Sequence, residues 1–210
     1  MKFPNFSEEK KLWKKGYKRI VSLDEVGRGA LAGPVIAVAA SIKQIPIFKF
    51  LDLKIRDSKK LSPKKRKRLY NLLTKNLVIE WAIGRVSERV IDKINILEAT
   101  KLAMKKAIKN LKIKVDFLIL DGKMKLDLSL PQKSIIKADE KVFSCAVASI
   151  IAKVTRDKIM ERYGKKYPQY GFNKHKGYPT KLHLAKLKKY GFCKIHRKTF
   201  SSSFTNKFLY

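Results

Sequence analysis

Acidic side chains are scarce in this sequence, and cysteines, histidines and long apolar runs are scarcer. Two cysteines, Cys145 and Cys193, cannot build a disulfide framework, and such sparing use fits a reducing, cytoplasmic setting. No apolar run reaches bilayer-spanning length. The longest, around Ala30 to Ile42, is broken by Gly33-Pro34 and rich in small residues, so it reads as buried strand. Met1 to Lys18 is polar and charged, without the apolar core of a signal peptide, and no basic amphipathic helix with aromatic anchors is present. No membrane partner is expected. His175 and His183 are too isolated to be named a catalytic base. Cys193 and His196 have a metal-like spacing but lack a second ligand pair, which argues against zinc. Neither a Walker A sequence nor a G-x-S-x-G elbow occurs.

What is abundant is positive charge. Lysine and arginine number 50 against 17 acids, a formal net charge of +33. Such a field attracts polyanions, nucleic acid first among them. The excess is mostly lysine and is spread along the chain, which biased genome composition alone would also produce. At 210 residues and 45% hydrophobic content, the chain can bury one core with a small appended lobe.

Turn signals and periodicity divide the chain into a basic leader (1–18), a central α/β region (19–163) and a basic, aromatic C-terminal lobe (164–210). Strands are predicted over 19–24, 35–42, 77–86, 115–120 and 134–137. Ser62-Pro63 is a capped helix start, with a helix to about Lys75. Asn95 and Glu98 have capping-box spacing, and Leu97, Met104, Ala107, Ile108 and Leu111 then share a helical face. Helices are also predicted over 140–163 and 179–190. The order of elements indicates a mixed α/β sheet.

Because acids are few, their positions carry information. Asp24 and Glu25 close the first strand, Asp121 closes the near-continuous apolar run, and Asp139 follows the short strand. Strand ends of α/β sheets are where ligands bind. Carboxylates gathered there would repel one another unless hard divalent cations, Mg²⁺ or Mn²⁺, neutralised them. Two such ions support phosphodiester hydrolysis. Taken singly, each acid also has a local reading: Asp139 as a helix cap, Asp121 as half of an Asp-Gly turn, Asp24 as a turn former. Jointly they point to a metal site, because an acidic pair inside Val21-Ser-Leu-Asp-Glu-Val must send one member inward.

The string Asp24-Glu25-Val26-Gly27-Arg28-Gly29, followed by Gly33-Pro34, resembles the signature of type 2 ribonucleases H, the bacterial ribonuclease HII family. The resemblance continues through Asp57-Ser58-Lys59-Lys60-Leu61-Ser62, Ile94 to Leu97, Asp121-Gly122 and Lys137-Ala138-Asp139. Ala148 to Asp157, Tyr167 to Phe172, His175-Lys176-Gly177-Tyr178 and His196-Arg197-Lys198 complete it, so that it spans about residues 19 to 200. It implies a ribonuclease-H-like mixed β-sheet flanked by helices, with a C-terminal helical lobe. It also implies an endonuclease that cuts RNA in RNA–DNA hybrids and incises at single ribonucleotides in duplex DNA, leaving 3′-hydroxyl and 5′-phosphate ends. Asp24, Glu25, Asp121 and Asp139 would hold two Mg²⁺ or Mn²⁺ ions. Gly27, Arg28 and Gly29 would meet the ribose 2′-hydroxyl side, Tyr178 the adjoining sugar, and Lys59 and Lys60 the phosphates. A monomer is expected. The aromatics of the C-terminal tail, Phe204 to Tyr210, suit a partner groove such as a sliding clamp's, but a frayed tail is the favoured reading. Arg28 and the short leader favour type 2 over type 3. The alternative from another class is a non-catalytic basic nucleic-acid-binding protein, which has no use for an acidic cluster.

Overall fold

In a computed structural model, which describes residues 3–44, 55 and 61–200, the strands form one five-stranded sheet in the order β3-β2-β1-β4-β5. The strands are β1 (Ile20–Val26), β2 (Val35–Ile42), β3 (Ile79–Val86), β4 (Phe117–Asp121) and β5 (Gln132–Ile135). β1 pairs antiparallel with β2 and parallel with β4, so the sheet is mixed, and β1 lies at its centre. β2 is buried along its whole length because helices cover both faces of the sheet.

The helices are α1 (Ser7–Lys14), α2 (Pro63–Thr74), α3 (Glu88–Asn110), α4 (Phe143–Lys166), α5 (Phe172–His175) and α6 (Lys181–Tyr190). On one face Ala99, Ala103, Met104 and Ala107 of α3 pack on Val21, Leu23, Val35, Ala37, Ala39 and Leu118. On the other, Val147, Ile150 and Ile151 of α4 pack on Val38, Ala40 and Ile42. Strand residues alternate between faces. Val21 and Leu23 go to α3, and Ser22 and Asp24 go to α4, where Ser144 and Ser149 meet them. α1 is docked by Phe6, stacked on Phe143 at 4.4 Å, and by Leu12. Among the described residues no helix is long and apolar enough to cross a membrane.

Three local readings change. The short strand is Gln132–Ile135 rather than 134–137, because Lys137 takes a left-handed φ of 57° and starts a one-turn 3-10 helix, Ala138–Glu140. The long helix therefore begins at Phe143. α3 begins at Glu88, one turn and more before Asn95, whose φ of 63° breaks it. The Asn95 side-chain oxygen accepts from the Leu97 and Glu98 N–H groups, so the cap is real, although Leu97 itself is exposed.

Candidate active site

The end of β1, the end of β4 and the turn after β5 lie side by side because β1 and β4 run parallel and β4 and β5 run parallel. Asp24, Asp121 and Asp139 are brought together there, each offering an oxygen within 4.8 Å of the others. Asp24 and Asp139 are buried, and Asp121 is half-buried. The Ala138 N–H donates to Asp121 Oδ1 at 2.7 Å, which ties the turn carrying Asp139 to the end of β4. Asp24 Oδ1 accepts from the Glu25 N–H at 2.7 Å, and the Ser149 hydroxyl on α4 bonds the same carboxylate. Burial, followed by the charges of Glu25 and Asp121, pushes the Asp24 carboxyl well above the usual carboxylate range.

Glu25 stands outside this three-carboxylate set. Strand alternation turns it away from Asp24, and its Oε1 lies 3.3 Å from the Arg28 guanidinium. Burial still raises its pKa, with Arg28 opposing. Three carboxylates this close together repel one another and offer the all-oxygen donor set that hard divalent cations such as Mg²⁺ or Mn²⁺ prefer.

The glycine turn follows directly. Gly27 has φ 97°, and a Cβ there would run into the Arg156 side chain and the Pro34 carbonyl. A Cβ on Gly29 would meet open space. Arg156 is fully buried on α4 and donates to the carbonyls of Pro34, Lys176 and Ala32 at 3.0, 2.8 and 3.0 Å. Its guanidinium also lies 5.2 Å from the centre of the Tyr178 ring. One side chain thus touches both Gly27 and Tyr178, 151 positions apart in sequence, and sets the turn beside the aromatic ring.

A family model described as Ribonuclease HII matches residues 21–207. The chain belongs to the ribonuclease HII family. It is 48% identical over 196 residues to the Ribonuclease HII of Acetivibrio thermocellus, covering 93% of this chain and 75% of that protein. It is 48% identical over 195 residues to that of Caldicellulosiruptor bescii, covering 93% and 92%. Among solved structures it resembles ribonuclease H2 from Pyrococcus horikoshii OT3, with TM-score 0.75, 27% identity and coverage of 91% and 99%. It also resembles the RNase HII of a PCNA:RNase HII complex from Archaeoglobus fulgidus, with TM-score 0.72, 25% identity and coverage of 86% and 94%. The protein is therefore a metal-dependent endoribonuclease acting on the RNA of RNA–DNA hybrids, and the non-catalytic alternative falls away.

Within this ribonuclease HII fold, sequence reading left several site residues without a role. Arg156 and Arg197 lay in motif blocks, but nothing in their spacing told that both would be fully buried. Arg197 donates to the Gly33 carbonyl at 3.0 and 2.8 Å and to the Arg28 carbonyl at 2.9 Å, bracing the glycine turn from behind. The histidines prove structural. His183 bonds the Tyr178 carbonyl at 3.0 Å, and the Tyr178 N–H donates to the His175 carbonyl at 3.0 Å. His183 and His196 share a hydrogen bond of 3.1 Å, and burial lowers both pKa values to about 4. Lys153 projects toward the Tyr178 ring, 5.9 Å from its centre, and pairs with Asp157 at 2.7 Å. Lys59, Lys60 and the tail Phe204 to Tyr210 lie outside the described residues.

Proposed function

We propose that the chain incises duplex DNA at single embedded ribonucleotides as well as within longer hybrids, by two-metal-ion hydrolysis giving 3′-hydroxyl and 5′-phosphate ends. The observation that carries this reading is the gathering of Asp24, Asp121 and Asp139 within 4.8 Å beside a glycine turn that shares Arg156 with Tyr178. With Glu25 these acids would hold Mg²⁺ or Mn²⁺, which when bound supplies charge neutralisation and activation of water for in-line attack. The 2′-hydroxyl, the group that tells RNA from DNA at one sugar, faces the minor groove, where a turn without side chains brings backbone groups close. Gly29 opens to free space, and Arg28 is exposed enough to meet the adjacent phosphate. Tyr178 packs on the neighbouring sugar, where a deoxyribose leaves room for the ring. Lys59, Lys60 and, at the start of α2, Lys64, Lys65, Lys67 and Arg68 take further phosphates, so binding should weaken with salt by about one log–log unit per contact. Arg66 in the same run is buried and donates to the Leu61 carbonyl instead.

The deciding experiment offers a duplex with one ribonucleotide and a longer hybrid, with and without Mg²⁺, and maps the ends. Cutting of both, abolished by chelator and poorly supported by Ca²⁺, is expected. Tyr178→Ala should lose far more activity on the single ribonucleotide than on the hybrid. Equal losses on both substrates would remove Tyr178 from the recognition site. A sliding-clamp contact of the C-terminal tail, proposed by analogy with the archaeal PCNA complex, is tested by deleting 204–210 and titrating clamp.

A further inference from the structure

Glu9 lies on α1, well before the first motif of the sequence, yet it is only 2% exposed. Its Oε1 accepts two hydrogen bonds, from the Ser144 N–H at 3.0 Å and from the Ser144 hydroxyl at 2.7 Å. Ser144 is in the first turn of α4, so Glu9 caps that helix from a different element, placing negative charge where N–H groups are unsatisfied. The hydroxyl proton of Ser144 is committed to Glu9. The Ser22 hydroxyl, 2.7 Å away, therefore donates to Ser144 Oγ. Ser22 is on β1, two residues before Asp24 and on the same face. The Cys145 thiol donates to the Leu23 carbonyl at 3.6 Å on the same stretch of β1.

The other side of this junction is fixed from the same segment. The Asn5 N–H donates to the Lys141 carbonyl at 3.1 Å, and the Phe143 N–H donates to the Asn5 carbonyl at 3.0 Å. Residues 141–143 join the turn holding Asp139 to α4. The N-terminal segment thus grips that link by its backbone and the next residue by Glu9, while Ser144 grips the strand holding Asp24. Packing alone does not explain the acid. Oε2 of Glu9 is buried and has no hydrogen-bond partner among the described residues, a burial that an apolar side chain would avoid.

We propose that Glu9 is a positioning residue for the metal centre: through Ser144 it fixes the separation of Asp139 from Asp24. This rests on the reading of those two aspartates as ligands. The test uses full-length Glu9→Ala and Glu9→Gln, with Asp139→Asn alongside. In metal-free protein, hydrogen exchange of residues 142–146 should lose protection in Glu9→Ala, with circular dichroism unchanged. The Mn²⁺ concentration giving half the maximal thermal shift should rise about fivefold or more, and kcat should fall about tenfold or more with KM for hybrid within about twofold. Glu9→Gln keeps the Oε1 acceptor and should restore kcat and the Mn²⁺ response to within about threefold. A folded Glu9→Ala protein with wild-type metal response and kcat would overturn the proposal, as would a glutamine variant as impaired as the alanine one. Should Glu9→Ala fail to fold, Ser144→Ala decides. It keeps the capped N–H but breaks the bridge to Ser22, and wild-type values there would reduce α1 to a packing element. Full activity in Asp139→Asn would instead refute the ligand assignment, whatever Glu9 does.

Discussion

Charge is buried in two regions of this molecule, and the two handle it in opposite ways. At the ends of β1 and β4, carboxylates crowd against each other, and burial with mutual repulsion raises the Asp24 pKa. At the junction with the C-terminal lobe, Arg156 and Arg197 are equally buried, yet their guanidinium groups are met by the carbonyls of Ala32, Pro34, Lys176, Gly33 and Arg28. Fixed backbone dipoles accept the guanidinium hydrogen bonds of the second region as folded. The first is a carboxylate cluster of the kind that a divalent cation would neutralise. The difference lies in the partners: carboxylates gather with one another in the first, whereas in the second carbonyls surround guanidinium groups, although burial and the neighbouring Arg156 still lower the Arg197 pKa to about 9.

The sharpest way to break this contrast is Asp24→Asn. Turnover should fall on the order of 10³-fold or more, while hybrid binding holds or tightens because negative charge is removed near phosphate. In metal-free buffer the same variant should unfold at higher temperature than wild type, since a buried repelled carboxylate is replaced by a neutral amide. Near-full activity with Mg²⁺, or a lower unfolding temperature without it, would contradict the contrast.

On the compensated side, Arg197→Met leaves the Gly33 and Arg28 carbonyls without their donors, and a loss of about 3–5 kcal/mol is expected in denaturant unfolding. A loss under about 1 kcal/mol would mean that the junction does not depend on that bracing.

The histidine pair supplies a pH dependence of known sign. With folded pKa values near 4 against an unfolded value of about 6.5, His183 and His196 are held neutral in the fold. Their contribution is complete above about pH 6.5 and is lost as pH falls toward 4, by up to about 3 kcal/mol per ring. His175, stacked on His183, and Cys193, bonded to His196, face the same pair. Urea unfolding of the metal-free protein from pH 7 to 4 measures the slope, and a flat profile in Asp24→Asn, which removes the carboxyl of the cluster pushed well above the usual range, would refute it.

The smallest effect separates two neighbouring glycines. Gly27→Ala meets Arg156 and Pro34 at a left-handed φ and should cost about 2 kcal/mol or more. Gly29→Ala meets open space and should change stability by less than about 0.5 kcal/mol while weakening substrate binding. Equal stability losses would show that Gly29 also serves packing.

How much of this was legible in advance differs by scale. The sequence of 210 residues with 17 acids made each strand-terminal carboxylate conspicuous. Period-two alternation already required that Asp24 and Glu25 face opposite ways, as they do. Ser62 and Asn95 were readable as caps because a cap depends on a few adjacent backbone groups. The strand over 132–135 was misplaced by two residues because the left-handed turn at Lys137 has no glycine or asparagine to announce it.

The sequence by itself made the strand-terminal acids candidates for a metal site, since carboxylate chemistry and alternation along a strand are local properties. Only the tertiary structure decided which distant groups meet around them. Ser144 finds Glu9 across 135 positions, and Arg197 finds Gly33 across 164. Such partners are chosen by distances that exist only after every layer has packed, and no periodicity within one element encodes them.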